Sequence, residues 1–327
     1  MIPKTILRLA MIAACAAAAY PAQGAESYPT RPIRFVVPYP PGGTTDIVAR
    51  GIATKLSERV GQQVVVDNRG GASTIIGAEL VARAVPDGYT LLLTTATTMS
   101  INPQVVKKLP YDAVKDFAPI TPAVYFPYVI AAHPSVPAST MKELIDLAKA
   151  KPEALKYSTP GTGSTNHLAG ALLESMAGIK LTHVPYKGSG PALTGMLSGE
   201  VQLIITGIAT VLPHAKSGKA KIIAVCGEKR LASWPDIPAV GEAGLPGYEG
   251  GTWFGVVTTA GVSRGIIDKL NREIVAALAS PDLKDRFTAI GFEVFTSSPD
   301  KFTRFIREDM ARTAKVIKSA GIQVDGT

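Results

Sequence analysis

Ile33-Arg34-Phe35-Val36-Val37, then Pro38-Tyr39-Pro40-Pro41-Gly42-Gly43-Thr44-Thr45, then Asp46 onward to Val60: the fold turns on this stretch. The first run is apolar and β-branched, which suits a buried strand. The second is punctuated by prolines and glycines, which end regular structure. The third puts Ile47, Ala53, Leu56 and Val60 on related faces of a helix. A strand passing through a glycine turn into a helix is the unit of a parallel-rich α/β fold.

The same unit recurs along the chain. Residues 63–66 form a second strand, and Gly70-Gly71 leads into a helix over 73–83. Pro86-Asp87-Gly88 marks a turn before the strand 90–95. Residues 124–132 read as extended. Thr140 caps a helix running to 150, with Glu143 completing a capping box. Strands follow at 156–158, 181–184, 201–206 and 221–225, and a last long strand ends at 256–258. Proline and glycine density rises over 235–251, the mark of a surface segment and a return crossing. Helices over 264–279, 281–290 and 299–320 close the chain. Ser280-Pro281 and Ser298-Pro299 each set a cap residue before a first-turn proline. In the last helix Phe302, Phe305, Ile306, Met310 and Ile317 share an apolar face, and Arg304, Glu308, Lys315 and Lys318 a solvated one.

The N-terminus reads as a secretory signal peptide over 1–25. Lys4 and Arg8 accompany an apolar stretch to Ala19, and Gln23-Gly24-Ala25 supplies small residues before Glu26. Cleavage falls near Ala25, with Gly24 as the alternative. Ile12-Ala13-Ala14-Cys15 has the letters of a lipoprotein box behind a very short apolar run. No later stretch has the length and hydropathy of a membrane span, which makes a soluble mature protein of the periplasm. About 300 residues then remain, enough for two domains. The formal charge of +8 drops by the two signal cations. The basic residues are scattered without clustered aromatics, so the charge is a solvated surface that favours anionic ligands and not a nucleic-acid footprint. Cys226 alone survives signal removal, inside the apolar run Ile222-Ile223-Ala224-Val225, and reads as a buried structural thiol.

Enzyme readings fail on their second requirement. Gly261-Val262-Ser263-Arg264-Gly265 has the letters of a nucleophile elbow, but a secreted serine hydrolase of that order needs a later histidine. His133, His167, His183 and His214 all lie upstream. Ser263 is better read as a helix cap. The histidines form no metal-ligand pair, and the glycine pairs match neither a phosphate loop nor a dinucleotide fingerprint, so no metal and no cofactor is implied. The chain reads as a non-enzyme.

Binding fits better. Pro41-Gly42-Gly43-Thr44-Thr45 and Thr159-Pro160-Gly161-Thr162-Gly163-Ser164-Thr165 both end a strand and open a helix. Glycines let a ligand approach the backbone, and free N–H groups at a helix start attract an anion without any charged side chain. The spacing predicts an anion held by backbone at Gly42–Gly43 and Gly163–Thr165, with no obligatory salt bridge from Arg50 or Arg69.

Several motifs resemble the Bug family, the extracytoplasmic solute receptors of tripartite tricarboxylate transporters. They are Pro38-Tyr39-Pro40-Pro41-Gly42-Gly43-Thr44-Thr45-Asp46 with Ala49-Arg50, Asn68-Arg69-Gly70-Gly71-Ala72, and Ala84-Val85-Pro86-Asp87-Gly88-Tyr89-Thr90-Leu91. The likeness continues through Pro185-Tyr186-Lys187-Gly188, Gly241-Glu242-Ala243-Gly244-Leu245-Pro246-Gly247-Tyr248 and Trp253-Phe254-Gly255. It implies a type II periplasmic-binding-protein fold, two α/β lobes joined by two crossings with the ligand cleft between them. Lobe 1 would comprise 26–126 and 252–327, and lobe 2 would comprise 127–251. The crossings would fall near Phe126–Tyr128 and Gly250–Trp253. The resemblance carries ligand-binding roles onto Tyr39, Pro41, Gly42, Gly43 and Asp46, and onto Thr162, Gly163, Ser164 and Thr165. Thr206 falls where relatives place an acidic residue soon after the strand, and Ser73-Thr74-Ile75 where glycines are common. The implied protein is a monomer that binds a small carboxylate and delivers it to the permease subunits of the transporter. A ligand sensor docking on a signalling receptor would share the fold and the pocket.

Overall fold

The computed structural model describes residues 28–231 and 233–319. The expected signal peptide, its cleavage near Ala25 and the lipoprotein-like Cys15 lie outside the described residues, as does the last residue of the expected final helix.

The opening unit forms as read. Strand β1 (Ile33–Val37) runs through a proline–glycine turn into helix α1 (Thr44–Val60), capped at Gly43 and closed by Gly61 at φ 68°. Strand β2 (Val64–Asn68), helix α2 (Ile75–Ala82) and strand β3 (Thr90–Thr95) follow. β1 lies between β2 and β3, parallel to both, with Phe35 opposite Val66 and Leu91. Such central strands are covered on both faces, so their sequences are nearly unbroken apolar runs.

Two turns of helix follow β3 that the periodicity does not reveal: a π-helical turn over Thr97–Ile101 and the short α3 (Asn102–Val105). Strand β4 (Phe117–Ala132) is much longer than expected. Its register slips near Pro119 and Pro122, where proline has no N–H to give the ladder. Helix α4 (Met141–Ala150) starts with the expected capping box, Glu143 N donating to Thr140 Oγ1 at 3.2 Å. Then come β5 (Lys156–Thr159), α5 (Thr165–Ala177), β6 (Thr182–Pro185), α6 (Ser189–Leu197), β7 (Leu203–Gly207), α7 (Ile208–Lys216) and β8 (Lys221–Val225). The chain ends with β9 (Gly251–Thr259), α8 (Arg264–Leu278), α9 (Pro281–Ala289), the two-residue β10 (Glu293–Val294) and α10 (Pro299–Ser319).

The strands form two sheet regions that share β4. In the first the order is β2-β1-β3-β9-β4, with β9 antiparallel to both neighbours and β10 on the far side of β4. In the second, β5 lies parallel between β6 and β7, and the last residues of β4 run antiparallel to β7 and β8. The passage occurs at Phe126–Tyr128. There Pro127 pairs with Gly251, Tyr128 N donates to Gly250 O, and Cys226 N donates to Tyr128 O at 2.7 Å. Helices cover both faces. Val36, Leu92, Trp253, Val257, Phe302 and Ile306 make one core under α10. Val129, Ala131, Met196, Ile204 and Val225 make another in the second sheet region. Cys226 is fully buried, and burial pushes its thiol up to about 12.

Candidate ligand-binding site

Parallel strands leave their carboxyl ends on one side, and the loops there build ligand sites. In this chain four such loops meet. The starts of α1, α5, α6 and α7, capped at Gly43, Ser164, Gly188 and Gly207, face one another where the two sheet regions join. Thr44 and Thr210 share a hydroxyl hydrogen bond of 2.9 Å across the junction. Ser73 Oγ donates to Thr162 O at 2.8 Å in a second bridge. A Cβ on Gly188 would stand 3.1 Å from Pro40, so the loops are in direct contact. Between them a cavity of about 20 Å³ remains, room for one water.

Three of the expected residues line this cavity: Tyr39, Thr165 and Thr206. Thr44 and Thr45 join them from the first loop. The other expected residues shape the loops from outside it. Gly42, at φ 86°, donates its N–H to Asp46 Oδ2 at 3.1 Å. Asp46 is buried and also accepts from Arg50 Nε and Asn68 Nδ2. Burial resists its charge, but these donors outweigh it and hold the carboxyl below the usual range. In the second loop Gly163 N donates to His167 Nδ1 at 3.2 Å, and Ser164 Oγ accepts from His167 N as the helix cap. Thr162 offers its carbonyl to Ser73, and Pro41 is exposed. The N–H groups of Gly42 and Gly163 are therefore engaged within the protein. The donors without an acceptor among the described residues lie one step further into each helix, at Gly43, Thr44 and Thr45 and at Thr165 and Asn166.

Sequence reasoning missed the remaining walls. Tyr128 and Phe126 come from β4, Thr252 and Phe254 from β9, and Thr95 and Thr97 from the end of β3 and the π turn. Tyr128 shares a hydroxyl hydrogen bond with Thr165, and burial pushes its phenol up. Phe126 meets Phe254 edge-on with ring centroids 5.1 Å apart. The hydroxyl-rich run Thr94-Thr95-Ala96-Thr97-Thr98 at the carboxyl end of a strand was the available signal.

The lining has no charged side chain. Arg50 is bonded to Asp46 and Arg69 to Asp67, each at 2.9 Å. What the site offers an anion is four helix starts and a ring of hydroxyls. Thr206 Oγ1 is buried without a hydrogen-bond partner among the described residues. A buried hydroxyl left unpaired is costly, and a ligand oxygen would satisfy it. Elsewhere, Ser263 stands at the start of α8, exposed, in the cap position expected of it, although its hydroxyl makes no cap bond. Among the described residues no cluster of histidine, cysteine or carboxylate side chains fits a metal ion, and no helix is long and apolar enough to cross a membrane.

Comparison with known proteins agrees with this architecture. The profile of the tripartite tricarboxylate transporter family receptor (TctC) matches residues 48–322. BugT of Bordetella pertussis is 34% identical over 301 residues, covering 92% of each chain. R. palustris Rpa4515, solved with adipate, superposes with a TM-score of 0.88 at 37% identity, covering 90% of this chain and 99% of that one. MatC of Rhodopseudomonas palustris, solved with bound malate, gives 0.83 at 30% identity, over 89% of this chain and 100% of that one. The fold is therefore that of the periplasmic binding proteins, and the chain belongs to the tripartite tricarboxylate transporter receptor family.

Proposed function

We propose that this chain is exported to the periplasm, captures a small carboxylate between two lobes, and delivers it to the permease subunits of a tripartite transporter. The observation that carries the reading is the cavity itself. Four helix starts and an unpaired buried hydroxyl converge there without a single cationic or catalytic side chain. Such a site stabilises negative charge by backbone dipoles and has no means to attack it. Relatives solved with adipate and malate support a carboxylate.

Residues 26–126 with 252–327 would be one lobe and 127–251 the other. A cavity of about 20 Å³ does not admit a dicarboxylate. The lobes therefore part to take up ligand, bending where β4 passes between the sheet regions and where the chain enters β9, and the Thr44–Thr210 and Ser73–Thr162 bonds break as they do. Tyr39, Thr165 and Thr206 would touch the ligand. Pro41, Gly42, Gly43, Asp46, Thr162, Gly163 and Ser164 would hold the loops that present it, with the Gly43 N–H as a direct donor. The protein would act as a monomer without catalysis.

A thermal-shift screen against organic acids, adipate and malate among them, tests the reading. A ligand at about 100 times its Kd should add roughly 2.7 kcal/mol. Stabilisation by amines or sugars and by no carboxylate would overturn it.

A further inference from the structure

Thr97 stands in the cavity wall on the π-helical turn. Such turns are rare and frequently mark functional sites. This one is tied to a carboxylate on the last helix. Ser100 Oγ donates to Asp309 Oδ2 at 2.6 Å, and Trp253 Nε1 donates to the same oxygen at 2.8 Å. Arg312 bonds the other oxygen. Asp309 is only 4% exposed, and a buried carboxylate is expensive unless its oxygens are filled. Donors from the turn, from β9 and from α10 fill it. Trp253 is the neighbour of Thr252, which stands in the same cavity wall.

The π turn passes this constraint on. Thr98 Oγ1 donates to Thr74 Oγ1 at 2.9 Å, and Asn102 Nδ2 donates to Ser73 O at 2.8 Å. Ser73 in turn reaches across the cleft to Thr162. One buried carboxylate thus anchors the turn that carries Thr97, the strand that carries Thr252 and, through the turn, the loop that bridges to the opposite side. Asp309 itself does not line the cavity.

We propose that Asp309 is a positioning residue of the ligand site, holding Thr97 and Thr252 in place from behind the wall. The inference rests on the reading of the cavity as the carboxylate site. Ser100→Ala removes one donor and keeps the carboxylate paired with Trp253 and Arg312; Asp309→Asn keeps the shape and removes the charge. Hydrogen exchange on the ligand-free proteins, melting temperatures, and calorimetry with adipate and malate are measured together. Expected are faster exchange at 72–74 and 95–101 in both variants, a melting temperature lowered by only a few degrees in Ser100→Ala, and affinity roughly tenfold weaker. Unchanged protection of 95–101 in both variants overturns the proposal, as does unchanged affinity with local loosening. A purely structural role would lower the melting temperature and leave the affinity of the folded fraction intact. If the wild type binds neither acid, the carboxylate reading loses its support, and the exchange data still decide whether Asp309 fixes this wall.

Discussion

His167 lies flat against His183, with ring centroids 3.9 Å apart and planes within 11° of parallel. The pair supports both ends of the loop between β5 and α5: His167 Nδ1 accepts from Gly163 N, and His183 Nε2 bonds Thr159 Oγ1 at 2.6 Å. Tyr157 also packs on His183, with ring centroids 5.1 Å apart, and adds no charge near neutrality. Burial lowers the affinity of both imidazoles for a proton, and the His167 charge lowers that of His183 further, to about 3.

The pH dependence follows from that sign. Both folded values lie below the ordinary 6.5 of the unfolded chain, so the unfolded state binds more protons on acidification. The stabilisation is complete above about 6.5 and is lost as pH falls toward about 3. Protonated Nδ1 would also face the Gly163 N–H as a second donor, opening the loop. Melting temperature measured from pH 7 to pH 4 should fall, and His183→Gln should flatten the slope. An identical slope in the variant would show that other groups carry the dependence.

Ser73 is the second test. Ala72, Ser73 and Thr74 hold φ of 46°, 49° and 78°, a run of left-handed backbone without a glycine. Each such residue costs about 1–2 kcal/mol, and its position opposite Thr162 ties the strained loop to the cleft bridge. Ser73→Gly should stabilise the fold by about 1 kcal/mol while releasing ligand several-fold faster. Ser73→Ala should speed release without the gain in stability. Denaturant unfolding and stopped-flow dissociation separate the two. Equal stabilities would mean that the loop carries no strain at residue 73.

These cases show what the sequence makes legible. The Thr140–Glu143 capping box and the β1–α1 unit depend on near neighbours, so local spacing predicts them. The engagement of Gly42 by Asp46 and of Gly163 by His167 was also local, four residues apart in both loops, and this repeated spacing was the overlooked signal. The π turn, Tyr128 and Thr252 are different. Their places follow from Asp309, from the long run of β4 and from the pairing of Pro127 with Gly251, which are contacts between distant segments. Helices α6 and α7 were missed because Pro191 and Pro213 punctuate these short segments.

Thr206 allows a test in which stability and binding move in opposite directions. Its Oγ1 is buried in the cavity wall with no partner among the described residues, on a strand where a β-branched side chain packs well. Thr206→Val keeps the shape and removes the hydroxyl. If the hydroxyl serves the ligand, the ligand-free protein should gain about 1 kcal/mol from losing an unpaired polar group, and carboxylate binding should weaken by about 1.5–3 kcal/mol. Arg69→Ala is the control. Its guanidinium is bonded to Asp67 outside the cavity, so affinity should change little. Chemical denaturation and calorimetry on both variants give the two signs. A Thr206→Val protein that binds as tightly as the wild type, beside an Arg69→Ala protein that does not bind, would mean that a salt bridge holds the carboxylate and the helix starts do not.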